Sequence, residues 1–93
     1  MRTIERTTVF RRDFKREAKG PHCDVLNTGL REIVEALAGD LPLPARCRDH
    51  ALTGDRKDYR DCHVKPDLVL IYRFIGADRL ILARLGSHSE LNL

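Results

Sequence analysis

The sequence predicts an α+β domain: an N-terminal strand and a two-helix hairpin packed on a small antiparallel sheet of three to four further strands. Three observations predict it. Apolar residues recur at helical spacing through the first forty positions. The period then changes, and β-branched and aromatic residues dominate from residue 59 onward. With 93 residues there is room for one domain, residues 1–93, and little room for a deep substrate cavity.

Residues 2–7 are short and β-tolerant and read as an edge strand. Thr7 or Thr8 offers the N-cap of a first helix. Its apolar stripe is Phe10, Phe14 and Ala18, with Arg11, Arg12, Lys15, Arg16 and Lys19 largely on the other face. Gly20-Pro21 stops it. Asp24 can cap a second helix, where Leu26, Leu30, Ile33, Val34 and Leu37 follow i, i+4, i+7, i+8, i+11 spacing. Gly39-Asp40 ends that helix, and residues 40–49, with two prolines, read as a loop. Strands are predicted at 59–64, 68–75 and 79–85, joined by Lys65-Pro66-Asp67 and by Gly76-Ala77-Asp78. The near-continuous apolar run of 79–85 suggests a central position. Ser87 to Asn92 can cap and turn once as a helix.

The net charge is +3 and the pI about 9.0, with arginine supplying most of the positive charge. Guanidinium groups pair with phosphate in a two-pronged fashion, so the balance suits a polyanionic partner such as nucleic acid. Cys23, Cys47 and Cys62 form no C-x-x-C pair, which fits reduced thiols in a cytoplasmic setting and no structural zinc. No secretory signal and no stretch of about 20 apolar residues is present, so no membrane association is expected.

Three of the four histidines, His50, His63 and His88, fall in the C-terminal half at points that a meandering sheet can gather at one end. Asp61, two residues from His63, shares its side of a strand, and Asp67 sits in the adjoining turn. This set meets the needs of RNA cleavage without a metal or other cofactor. A base takes the 2′-hydroxyl proton, an acid protonates the leaving 5′-oxygen, and cations steady the phosphoryl charge. Imidazole can serve as acid or base near neutral pH. Lys57, Arg60, Lys65 and Arg84 are the nearest candidates for holding phosphate. A zinc site would more often show H-x-H or H-x₃-H spacing, which is missing.

Residues 41–55, 59–73 and 84–91 carry three linked motifs: Asp49-His50-x-Leu52-x-Gly54; Arg60-x-x-His63-x-x-Pro66-Asp67-x-x-Leu70-Ile71-Tyr72; and Gly86-Ser87-His88. In these the chain resembles the YafQ-type toxins of the RelE/ParE superfamily. The resemblance implies a RelE/ParE-like fold and a ribosome-dependent endoribonuclease that cuts translated mRNA in the A site. It implies catalytic roles for His50, His63, Asp67 and His88, with Asp61 nearby. His88 would be the proton donor to the leaving oxygen. His50 and His63 would supply the base or a phosphate contact, with nothing to separate them. It also implies an antitoxin encoded nearby that blocks the site. The chain departs from the pattern at Asn92, where the family often has Phe; an aromatic there could stack on a base. The same fold carries ParE-type inhibitors of DNA gyrase, which act by binding, and a degenerate binding protein is a further alternative. The three histidines favour the nuclease.

Overall fold

The computed structural model describes residues 1–93. Its elements are β1 (Thr3–Arg6), α1 (Thr8–Ala18), α2 (Gly29–Ala38), β2 (His50–Ala51), β3 (Arg60–Lys65), β4 (Leu68–Ile75) and β5 (Arg79–Gly86). Short 3₁₀ turns lie at Cys23–Val25, Ala45–Cys47 and Gly54–Arg56. The five strands form one sheet in the order β1-β5-β4-β3-β2. No helix is long and apolar enough to cross a membrane.

The α+β class and the edge position of the first strand agree with the sequence. The sheet is mixed, however, because β1 runs parallel to β5 while every other pair is antiparallel. The two helices lie between β1 and the rest of the sheet in sequence, so the chain returns along β5 in the direction it started. The centre of the sheet is β4, with β5 between it and β1. β4 is covered on both faces, which explains its continuous apolar run. Leu68, Leu70 and Tyr72 join Phe10, Leu30, Ile33 and Leu37 in the core beneath the helices. Val69 and Ile71 join Ala83 and Leu91 in a smaller cluster on the opposite face. Each such leucine contributes about 1.5–3 kcal/mol by leaving water.

Two helix expectations change. α2 begins at Gly29, not after Asp24, and Thr28 makes no side-chain cap. Thr28, at φ −122° and ψ −82°, has left the helical basin. Leu26 is still buried, but as part of the preceding turn. In α1 the inward residues are Phe10, Asp13 and Glu17, with Phe14 half-buried and Ala18 exposed. Two buried carboxylates thus replace the end of the expected apolar stripe.

Their presence has a cause in the sheet edge. β1 stops pairing with β5 at Arg6–Leu82. On that side the backbone of β5 beyond this point would have no neighbour, which buried peptide groups do not tolerate. Helix α1 takes over. Thr7 caps α1 by accepting from the Phe10 amide (2.9 Å) and donates its hydroxyl to the Ala83 carbonyl (2.9 Å). The Leu85 amide donates to Asp13 (3.0 Å), and Arg16 donates to the Leu85 carbonyl (2.8 Å). Arg84 binds the same Asp13 carboxylate at 2.8 and 3.3 Å. Burial pushes the Asp13 carboxyl up, but the Arg84 and Leu85 hydrogen bonds and the nearby guanidinium charges outweigh this and hold it below its ordinary range.

Candidate active site

Strand alternation sorts the site residues. On β3, Cys62 and Val64 point into the core beneath the helices, and Arg60 shares that side. Asp61 and His63 therefore point to the opposite face. β2 is only two residues long, yet it sets His50 directly across from Asp61. Residues opposed in a ladder share a face, so His50, Asp61 and His63 stand side by side.

His50 Nδ1 lies 2.8 Å from the Arg48 carbonyl oxygen and 2.9 Å from Asp61 Oδ1. A carbonyl oxygen only accepts, so Nδ1 carries the hydrogen and the outward Nε2 holds a free lone pair in the neutral ring. Asp61 is 3% exposed. Burial pushes its carboxyl above the usual range, against the opposing pull of His50, His63 and His88. All three histidines thus act on one buried carboxyl.

The Nε2 atoms of His63 and His88 approach to 3.1 Å, with ring centroids 5.0 Å apart. Two imidazoles meeting nitrogen to nitrogen share one hydrogen between them. Burial lowers the His63 pKa. Asp61 raises it in part, while His88, Arg48 and His50 add to the lowering. His88 Nδ1 faces Asp67 Oδ1 at 3.6 Å, at the exposed end of the turn. His88 itself rides on the segment after β5. There the Ser87 amide donates to Glu90 (2.9 Å) and the Glu90 amide to the Ser87 hydroxyl (3.1 Å), a reciprocal capping box. This is the single turn expected for residues 87–92, held as hydrogen-bonded turns without a regular helix.

Between the His63–His88 pair and the preceding loop lies a cleft of about 490 Å³ lined by Arg46, Arg48, His63, Val64, Lys65, Pro66 and His88. Of the four expected phosphate-holding cations, only Lys65 lines it. Lys57 is exposed after the Gly54–Arg56 turn. Arg60 is on the other side of β3 and grips Asp49 with both prongs (3.3 and 3.1 Å). Arg84 is committed to Asp13. The cleft cations that sequence reasoning missed are Arg46 and Arg48. They come from the Ala45–Cys47 turn and from Arg48 in the left-handed region (φ 49°, ψ 42°). Their signal was two arginines just ahead of His50, flanking a cysteine that the fold buries. His22 lies far away in sequence and outside the cleft lining. Cys47 and Cys62 are buried free thiols, and burial together with the neighbouring Cys47 pushes the Cys62 thiol up. Both are poor nucleophiles.

A sequence profile described as the bacterial toxin of type II toxin–antitoxin system, YafQ, matches residues 2–93. The chain is 39% identical over 92 residues to the Escherichia coli K12 protein named mRNA interferase toxin YafQ, covering 97% of this chain and 95% of that one. It is similar to a crystal structure of a metal-bound toxin from Helicobacter pylori, with 43% identity, a TM-score of 0.87, and 98% and 99% of the two chains covered. The E. coli DinJ–YafQ complex matches with a TM-score of 0.79 at 35% identity, over 98% of each chain.

Proposed function

Because the chain belongs to the YafQ family of toxins from bacterial type II toxin–antitoxin systems, we propose that it is an endoribonuclease that cuts mRNA on the translating ribosome by histidine acid–base chemistry. The observation that carries this reading is that His63 and His88 meet at the wall of an arginine- and lysine-lined cleft, with His50 facing Asp61 on the same side of the sheet as His63.

Arg46, Arg48 and Lys65 hold the scissile phosphate and steady the charge that builds on its oxygens. His50 is the base. Its Nδ1 hydrogen is held by the Arg48 carbonyl and faced by Asp61, so Nε2 is left to take the 2′-hydroxyl proton. The 2′-oxygen then attacks phosphorus. As the bond to the 5′-oxygen breaks, His88 gives that oxygen a proton, leaving a 2′,3′-cyclic phosphate and a free 5′-hydroxyl. Burial favours the neutral form of His63, and with its hydrogen on Nδ1 the His63 Nε2 accepts from His88. Asp67 orients the far side of the His88 ring.

His50 Nδ1, His63 Nε2 and both ring nitrogens of His88 face partners within the protein, and the mechanism asks nothing of a metal. On this reading the substrate is presented by the ribosome, and naked RNA is cleaved slowly. The partner is a cognate antitoxin that covers the cleft, in the cytoplasm where translation runs. In the similar E. coli complex the toxin is bound to DinJ.

The test is to map 5′ ends of mRNA in cells and on purified ribosomes, with the native chain and His88→Ala. Native protein stripped of transition metals and returned to magnesium buffer should still cut at codon-spaced positions, and the variant should lose nearly all cutting. Activity lost on stripping and restored by zinc or copper would overturn the metal-free mechanism. Gyrase-linked DNA breaks without mRNA cleavage would favour an inhibitor that acts by binding.

A further inference from the structure

The reaction proposed above needs His50 held at one orientation, and almost nothing about His50 itself provides this. β2 is two residues long and both are exposed. Just upstream, Arg48 occupies a left-handed backbone conformation that side chains with a Cβ rarely adopt. Such a residue persists only where its flanks over-determine it. On one flank Cys47 is buried in the core. On the other is Asp49.

Asp49 points to the face of the sheet opposite His50, as strand alternation requires. There it accepts from three donors. Arg60 gives Nε at 3.3 Å to one oxygen and Nη2 at 3.1 Å to the other. The fully buried Tyr72 hydroxyl donates to Asp49 Oδ1. Arg60 and Tyr72 oppose each other across β3 and β4, so the ladder presents both donors together. A bidentate guanidinium and a phenol at one carboxylate fix both its position and its plane. The residue fixed in this way sits between the Arg48 carbonyl, which holds the His50 Nδ1 hydrogen, and His50 itself.

We infer that Asp49, clasped by Arg60 and Tyr72, is a positioning residue that seats the base His50. This rests on the nuclease reading. It also gives Arg60 a role behind the cleft in place of direct phosphate binding. Asp49, Arg60 and Tyr72 each stand in the motifs noted in the sequence, and none of the three lines the cleft. Their common function is to aim the strand that follows.

The experiment uses the full chain with Asp49→Asn, and with Tyr72→Phe as the milder variant that deletes one oxygen. Single-turnover cleavage on programmed ribosomes should slow about 10- to 100-fold in Asp49→Asn and less in Tyr72→Phe, with KM moving less than about threefold. In a His50→Gln background, adding Asp49→Asn should change the residual rate less than about twofold, because its effect runs through His50. Independently of any activity, the imidazole nitrogen NMR spectrum of His50 should show the Nδ1–H form in the native chain. In Asp49→Asn it should shift towards a mixture of both forms. An unchanged His50 spectrum in Asp49→Asn would overturn the inference, as would an equal rate loss with and without His50. A changed spectrum in a native chain that cuts no mRNA would leave the seating intact and remove the nuclease reading instead.

Discussion

Replacing Asp13 with alanine should cost the fold about 3 kcal/mol at pH 7. The carboxylate is 2% exposed and accepts from the Leu85 amide, Arg84 and Arg16. Charged hydrogen bonds at about 1.5–3 kcal/mol each would sum to far more. The sum overstates the loss. The Arg16 and Arg84 side chains are 40% and 35% exposed, so water can reclaim both guanidinium groups. What it reclaims poorly is the Leu85 amide, whose unsatisfied burial alone costs about 1–3 kcal/mol. For a domain of this size, about 3 kcal/mol corresponds to a melting temperature lower by roughly 12–24 °C. The deficit should also depend on pH in a set direction. A carboxyl held below its unfolded value stabilises the fold above that value and ceases to as the pH falls through its lower folded value. Urea melts of the native chain and Asp13→Ala should therefore converge as the pH is taken below about 4. A deficit under about 1 kcal/mol at pH 7, or one as large at pH 3 as at pH 7, would refute the claim that this carboxylate replaces a missing strand along β5.

Other outcomes follow from the site. Asp61→Asn should lower cleavage at least about tenfold while leaving the melting temperature unchanged or higher, because burial raises this carboxyl and its charge is a burden on the fold at neutral pH; a loss of several kcal/mol in urea would contradict it. Arg46→Ala and Arg48→Ala should each flatten the dependence of log(kcat/KM) on log salt by roughly 0.7–0.9, and Arg60→Ala should not, as read from cleavage rates across a salt series. His63, whose pKa is lowered by burial, binds its proton more readily in the unfolded chain. Stability should thus fall as the pH drops through about 6.5, and His63→Gln should remove that part of the pH dependence in urea titrations.

Much of this was legible in the sequence, and the limits have physical causes. Apolar periodicity found α1, the body of α2, and the three long strands, because burial is written residue by residue. The gathering of His50, His63 and His88 at one end of the sheet was also readable, since strand alternation and turn positions constrain it. Charged residues were less readable. Arg60, Arg84, Arg46 and Arg48 look alike in a sequence, and what separates their roles is a partner elsewhere in the chain. Asp13 lies 71 positions from Arg84, and Asp49 lies 23 positions from Tyr72. Alternation along β3 could have excluded Arg60 from the face that carries Asp61 and His63. The two-residue β2 is too short for any periodic signal. The start of α2 shifted because Leu26 keeps its apolar contact without being helical.

The parallel pairing of β1 with β5 couples the order of synthesis to harm. A nascent chain presents Thr3–Arg6 early but offers them no partner until Arg79–Leu82 have been made. His88 follows only a few residues later. The sheet and the His63–His88 contact are therefore completed almost together, and a chain stopped before Arg79 has neither. For a toxin of a type II toxin–antitoxin system, the folded surface that an antitoxin can meet is thus complete only when the final strand arrives.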